Sequence, residues 1–337
     1  MRDFMCPNCG QRLAFENSLC LNCQHNIGYD PQGRQFVLVD ENGLTYAQFA
    51  PMRMCGNQLL AACNWVVPTG DGTPLCLSCR LTRTTPPEQD KDAMVAFAEA
   101  ESAKRRLVVE LLDLGLPIVG RDQDPENGLC FDLLSSKREQ VFTGHDNGVI
   151  TLNLAESDDL HREQLRISMG EPYRTVLGHF RHEIGHYYQF VLVGHGPNLA
   201  AYQSLFGDPD LDYQQALDRH YSQGAPLGWE DDYVSSYATM HPAEDFAETF
   251  AHYLHIRDTV DTAAAFGFAP AGATLDRPLP GDAGFQHLID LWLPLSWSLN
   301  MINRSMGHKD LYPFVLPPRV LQKMSFVHRI VEKATQG

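Results

Sequence analysis

The sequence predicts an α+β protein: a small, loop-rich N-terminal region, then a mostly helical domain that contains a small sheet. Three observations carry this. Eight of the nine cysteines fall before residue 80 and are grouped at short spacings. After residue 89, long stretches repeat apolar residues at helical intervals. Between these stretches, residues 129–154 hold two short strand-forming runs with turn formers beside them.

A chain of 337 residues has room for two domains, and 44% hydrophobic with 20% charged residues is an ordinary globular composition. The more apolar segments are interrupted by charge, as Glu110 and Asp113 interrupt Leu107 to Val119, so no membrane span is expected. The N-terminus Met-Arg-Asp-Phe-Met-Cys lacks the apolar stretch of a signal peptide, which predicts a cytoplasmic protein. A net charge of -16 argues against nucleic acid or an anionic membrane as partner. The first 87 residues carry six Arg, no Lys and six acids, so this region has no net positive charge to offer phosphates.

Cys6-Pro-Asn-Cys9 and Cys20-Leu-Asn-Cys23 are two C-x-x-C knuckles ten residues apart. Each knuckle turns the chain back so that two thiolates face one ion, and together they predict a closed four-cysteine zinc site of structural type. His25 lies beside this set, but four thiolates already fill the shell. Cys55, Cys63, Cys76 and Cys79 predict a second such site, because a small loop-rich segment has little apolar surface to hold it together without metal. The ninth cysteine, Cys130, is read as a small core hydrophobe.

The paired prolines at Thr84-Thr-Pro-Pro87 mark a boundary. Residues 89–114 predict a long amphipathic helix with Met94, Phe97, Leu107, Val108 and Leu111 on its apolar face. Leu129 to Leu134 and Gly148 to Leu154 predict two strands, and an exposed edge here can hold an extended chain by main-chain hydrogen bonds. Pro172 to Leu192 predicts a helix with an apolar stripe of Val176, Phe180, Ile184, Tyr187 and Val191, ended by Gly194-His-Gly-Pro197. That helix contains His182-Glu183-Ile-Gly-His186, in which two imidazoles one turn apart can reach a single zinc ion and Glu183 can reach a water on it.

A catalytic zinc needs a third protein ligand and an open fourth position. A histidine six residues after the second, with glycine midway, is ruled out, since Leu192 and Gln189 occupy those positions. An acidic residue on a later helix remains. Pro242 to His255 suits it: Phe246, Phe250 and Tyr253 mark a buried side, while Glu244, Glu248, His252 and His255 fall along another. Glu244 and Glu248 are one turn apart, so that one can bind zinc while the other holds a ligating histidine by hydrogen bond. Near the C-terminus, Phe285 to Leu299 and Leu321 to Val331 predict core helices, with Pro294 expected to kink or break the first. Asn303-Arg-Ser-Met-Gly reads equally as a cleft-lining segment or a helix-terminating turn.

The N-terminal Cys-x-x-Cys pairs, Glu-Pro-Tyr-Arg-Thr-Val-Leu-Gly-His-Phe-Arg-His-Glu-Ile-Gly-His-Tyr-Tyr, Val-Ser-Ser-Tyr-Ala, Glu-Asp-Phe-Ala-Glu-Thr-Phe-Ala-His-Tyr-Leu-His and Asn303-Arg-Ser-Met-Gly carry a resemblance over nearly the whole chain. The sequence resembles the bacterial zinc-binding metallopeptidases with an N-terminal zinc ribbon. The resemblance implies a zinc-ribbon domain over 1–86 and a zincin-like metallopeptidase domain of gluzincin type over 87–337. The Tyr-Ala and Glu-x-Phe-Ala-Glu motifs are also similar to those of lethal-factor-like gluzincins. That similarity implies Glu244 as the third zinc ligand, Tyr237 pointing into the site, and Glu248 supporting a histidine from behind. His241 and His252 remain rival ligands.

The expected cofactors are one catalytic Zn2+ and one or two structural Zn2+. The expected partner is a peptide or protein substrate, with the ribbon available to a protein partner. Glu183 is expected to take a proton from the zinc-activated water and deliver it to the leaving amine, with Tyr237 helping to stabilise the oxyanion. Two other readings use the same residues: an adaptor that binds without cleaving, against which the intact Glu183 counts, and an amidase acting on a small molecule.

Overall fold

A computed structural model of the chain describes residues 2–47, 50–137, 140–158, 162–164, 173–194, 196–269 and 280–334. Two compact units are present. The first comprises Met1–Val109, Val119–Gly144 and Gly148–Arg162, and the second Glu110–Ile118, His145–Asn147 and Glu163–Gly337.

In the first unit, β1 (Phe4–Met5) pairs antiparallel with β2 (Arg12–Leu13), and β3 (Ile27–Asp30) with β4 (Gln35–Leu38). Strands β5 (Leu44–Ala47), β6 (Ala50–Met54) and β7 (Val66–Pro68) form a three-stranded antiparallel sheet. These pieces close over an aromatic cluster in which the ring of Tyr29 lies 5.0 Å from Phe15, 5.8 Å from Phe36 and 5.6 Å from Trp65. Ring contacts at such distances, edge-on to Phe15 and Phe36 and tilted to Trp65, supply packing that the short strands cannot.

A short helix α1 (Leu77–Arg80) leads into β8 (Thr82–Thr84) and then the long helix α2 (Lys91–Asp113). Phe97, Leu107, Val108 and Leu111 of α2 are buried, as the helical spacing predicts, and Asp90 caps its start by accepting from the Ala93 N–H at 3.1 Å. The two expected strands are β9 (Cys130–Leu134) and β11 (Val149–Asn153), which pair in parallel in a sheet of order β10-β11-β9-β8, where β10 is Gly144–Asp146. Cys130 is buried within β9.

The second unit is helical: α3 (Val176–Tyr188), α4 (Leu199–Phe206), α5 (Tyr213–Gln223), α6 (Pro242–Ala265), α7 (Gly281–Ser305) and α8 (Pro318–Ala334). Helix α6 is the centre of this unit. Tyr188 of α3 stacks on Phe250 at 5.5 Å, Phe206 of α4 meets Phe246 at 5.5 Å, and Tyr253 shares a 3.1 Å hydrogen bond with His328 of α8.

Three local outcomes differ from the sequence reading. Pro172, the expected start of the first helix, lies outside the described residues. Helix α3 begins at Val176 with Thr175 as cap, its Oγ1 accepting from the Gly178 N–H at 3.0 Å. After Tyr188 the chain passes through a π turn, Gln189–Val193, which rotates the following residues off the α-helical stripe, so Val191 is 40% exposed instead of buried. Gly194 ends this turn, while His195 lies outside the described residues. Pro294 does not interrupt α7. It lies on the exposed side, where the carbonyl deprived of its N–H partner can be hydrated. Asn303 to Gly307 is the terminating turn of α7, fastened by paired hydrogen bonds from Arg304 to Asp310 at 2.5 and 2.7 Å. No helix among the described residues is long and apolar enough to cross a membrane.

Candidate metal centre

Helix α3 carries His182 and His186 one turn apart, with Glu183 buried between them. Behind this face, Arg181 is buried and paired with Glu110 at 3.0 Å and Asp258 at 2.9 Å, which anchors the helix from its other side. Helix α6 begins with His241 as its cap, Pro242 in the first turn, and Glu244 and Asp245 where the helix dipole favours negative charge. The helices approach closely at Gly185. A Cβ there would lie 2.9 Å from the Ala247 Cα and 3.1 Å from its carbonyl oxygen, so only glycine permits the contact.

This approach brings Glu244 onto the two imidazoles. His182 Nε2 lies 3.0 Å from Glu244 Oε2 and 3.2 Å from His186 Nε2, and His186 Nε2 is 3.3 Å from Glu244 Oε1. Ligands bonded tetrahedrally to zinc at about 2.0–2.1 Å stand roughly 3.3 Å apart, so the two imidazole nitrogens and the Glu244 carboxylate, one oxygen toward each ring, are spaced to share a zinc ion. Glu248 sits behind His182, its Oε1 2.7 Å from His182 Nδ1, and its Oε2 accepts from the Ser235 hydroxyl at 2.6 Å. Tyr237 packs beside the site, its ring centroid 6.0 Å from that of His182.

Burial opposes charge on His182, but the hydrogen bonds to Glu244 and Glu248 outweigh it and raise the imidazole well above its usual range. Burial likewise opposes ionisation of both carboxyls. The neighbouring imidazoles prevail, holding Glu244 well below the usual carboxylate range and Glu248 at about 2. For Tyr237, burial and then the Glu244 charge push the hydroxyl up, so it remains a donor.

The rival ligands lie elsewhere. His241 has both ring nitrogens engaged, with Nδ1 accepting from the Ala243 N–H at 3.1 Å and Nε2 3.0 Å from the Leu211 carbonyl oxygen. His252 is buried with Nδ1 2.8 Å from the Tyr312 hydroxyl and its ring 4.4 Å from that of Phe314. His255 packs among Tyr173, Trp292 and Tyr312.

Three neighbours of the site had no signal, or only a family signal, in the sequence. The Tyr213 hydroxyl donates to Glu244 Oε1 at 2.9 Å. His145 stacks on His186 at 6.2 Å with the ring planes 12° apart, and burial, followed by the nearby His186, lowers its pKa to about 4. Ser235 belongs to the Val-Ser-Ser-Tyr-Ala motif, whereas Tyr213 and His145 stand in no pattern.

The eight N-terminal cysteines gather in two groups, Cys6, Cys9, Cys20 and Cys23, and Cys55, Cys63, Cys76 and Cys79. Sulfur atoms within them lie 3.7 Å apart, between Cys6 and Cys23, Cys9 and Cys20, and Cys63 and Cys76. Tetrahedral zinc with bonds of about 2.3 Å spaces its sulfurs by roughly 3.8 Å, so these groups also fit the metal. The two knuckles of the first group are built alike. The Gly10 N–H donates to the Cys6 carbonyl at 2.9 Å and the Gln24 N–H to that of Cys20 at 2.8 Å, and both residues take positive φ, +71° and +58°. In the second group the Cys76 N–H donates to Cys55 Sγ at 3.3 Å, and Arg105 of α2 donates to the carbonyls of Ala61 and Ala62, next to Cys63, at 3.0 and 3.2 Å. His25 is exposed, its Nδ1 3.0 Å from the Cys23 carbonyl oxygen.

A model of the family described as "Putative zinc-binding metallo-peptidase" matches residues 93–330, and a zinc-ribbon model matches residues 3–90. The chain is 61% identical over 334 residues to the uncharacterized protein Rv2568c of Mycobacterium tuberculosis, covering 99% of this chain and 96% of that one. The same figures describe its likeness to the uncharacterized protein Mb2598c of Mycobacterium bovis. No solved structure matches the chain. With two cysteine groups spaced for zinc, a His-His-Glu cluster on two packed helices and a match over most of its length, the chain belongs to this zinc-binding metallo-peptidase family and carries an N-terminal zinc ribbon.

Proposed function

We propose that the protein is a zinc-dependent peptidase of gluzincin type that hydrolyses peptide bonds with Glu183 as general base. The observation that carries this reading is the mutual spacing of 3.0–3.3 Å among His182 Nε2, His186 Nε2 and Glu244, on two helices held together at Gly185. His182, His186 and Glu244 hold the ion, and Glu248 orients His182 through Nδ1. Bound there, zinc supplies a Lewis acid that makes water nucleophilic near neutral pH.

The chain's own residues supply the rest. Glu183, one residue from the first ligand, takes a proton from the attacking water and returns it to the leaving amine. The Tyr237 hydroxyl, kept protonated by its surroundings, donates to the oxyanion as it forms. Each four-cysteine group holds a structural zinc, giving three ions per chain. We take 1–86 as the ribbon and 87–337 as the peptidase domain, a division supported by the two family matches, which meet between residues 90 and 93. The substrate is a peptide or protein, and the ribbon is available to a protein partner. Cysteines gathered as thiol groups instead of disulfides fit a cytoplasmic location.

The test is a purified full-length chain assayed for zinc content and for cleavage of a peptide library, beside Glu183→Gln. The variant is expected to keep three zinc ions and lose activity by about 10²–10⁴-fold. Full activity in Glu183→Gln overturns the mechanism.

A further inference from the structure

Helix α5 fully buries a single residue, Ala216, so apolar packing holds it only weakly. Polar contacts tie it to the start of α6. The Leu211 carbonyl meets His241 Nε2 at 3.0 Å, Arg219 donates to the Met240 carbonyl at 3.2 Å, and the Tyr213 ring lies 5.3 Å from that of His241. Asp212 caps α5 by accepting from the Gln215 N–H at 2.9 Å, which places Tyr213 as its first residue. Tyr213 is 44% exposed, yet its hydroxyl reaches Glu244, which is 2% exposed.

The chemistry of a ligating carboxylate gives this contact a purpose. A carboxylate has about four acceptor positions, and a metal ion occupies only part of that capacity. Once His182 Nε2 and His186 Nε2 bind metal they no longer donate hydrogen bonds to Glu244. Among the described residues, Tyr213 is then the side-chain donor that remains on it. An acceptor buried without a partner costs free energy, and a carboxylate free to rotate binds metal less well.

Resting on the reading of Glu244 as the third metal ligand, we propose that Tyr213 is a positioning residue for that ligand: its O–H holds Glu244 Oε1 and fixes the carboxylate against the two imidazoles.

The experiment uses full-length wild type, Tyr213→Phe, Glu244→Ala and the double variant, each loaded with zinc and titrated with a chelator while zinc per chain is counted. Tyr213→Phe keeps the ring and is expected to release one zinc at about 10- to 100-fold lower chelator strength than wild type, with two cysteine-bound ions unaffected. Glu244→Ala is expected to lack that ion altogether, and adding Tyr213→Phe to it should leave the thermal midpoint where Glu244→Ala sets it, which a merely structural tyrosine would not do. Wild-type zinc retention in Tyr213→Phe, beside loss of the ion in Glu244→Ala, overturns the role of Tyr213 alone. Zinc content in Glu244→Ala equal to that of wild type overturns the reading of Glu244 and the role of Tyr213 together.

Discussion

His182 Nδ1 lies 2.7 Å from Glu248 Oε1, so a carboxylate on α6 accepts the Nδ1 proton and leaves Nε2 facing Glu244 and His186. Buried acceptors of this kind fix the tautomer and ring orientation of a ligating histidine. Glu248→Leu is therefore expected to weaken zinc at this site by about 10- to 100-fold, measured by chelator competition. Glu248→Gln keeps an acceptor oxygen and should lose less. Equal losses in the two variants would mean that packing, not the hydrogen bond, matters at this position.

Gly185 governs how closely α3 and α6 approach. In Gly185→Ala the added methyl meets the backbone of Ala247, which cannot yield as a flexible side chain does. The expected cost is about 1–3 kcal/mol of stability, read as a lowered denaturation midpoint, together with weaker zinc retention as Glu244 moves away from the imidazoles. Unchanged zinc retention would show that the site does not depend on this contact.

The two cysteine groups differ in cover. Cys9 is exposed and Cys23 half-buried, whereas Cys55, Cys63, Cys76 and Cys79 are all buried. A chelator that absorbs when it binds zinc should therefore remove the ion of the first group faster than that of the second. Cys6→Ser and Cys63→Ser variants identify which phase is which. The loss at Cys63 is expected to destabilise the first unit more, since Arg105 of α2 holds the neighbouring Ala61 and Ala62 carbonyls.

Two buried histidines make stability depend on pH. Burial pushes His252 down to about 4, with Glu248 opposing and His182 assisting, and pushes His255 down to about 3, with Arg181 and His252 assisting and Asp258 opposing. Each is neutral in the folded state, while the unfolded chain binds its proton near pH 6.5. Their contribution is complete above about pH 6.5 and is lost as pH falls, down to about 4 for His252 and about 3 for His255, at up to about 1.4 kcal/mol per pH unit for each. Denaturant unfolding at pH 7.5, 6 and 5 should show a shallower slope in His252→Asn than in wild type, and parallel slopes would contradict this.

Much of the site is local and hence legible in the chain. A spacing of four on a helix places His182 and His186 on one face, and the C-x-x-C spacing turns each knuckle back on itself, because both follow from backbone geometry over a few residues. The periodicity of α2, α3 and α6 likewise announces their buried faces. What lay beyond the sequence depends on packing between distant segments. The meeting of His182 with Glu244, 62 residues later, needs the close contact at Gly185, and the isolation of His252 depends on Tyr312, 60 residues further on. Val191 leaves the apolar stripe because a π turn changes the helical phase, an event that periodicity cannot anticipate. Tyr213 and His145 reach the site through an exposed helix and a short strand, where neither hydrophobic pattern nor spacing marks a residue as special. Sequence alone determined which side chains share a helical turn or a knuckle, since that is set by local dihedral angles. Only the tertiary structure decided which helices meet and which tyrosine touches Glu244, since that is set by the fit of surfaces between segments far apart in the chain.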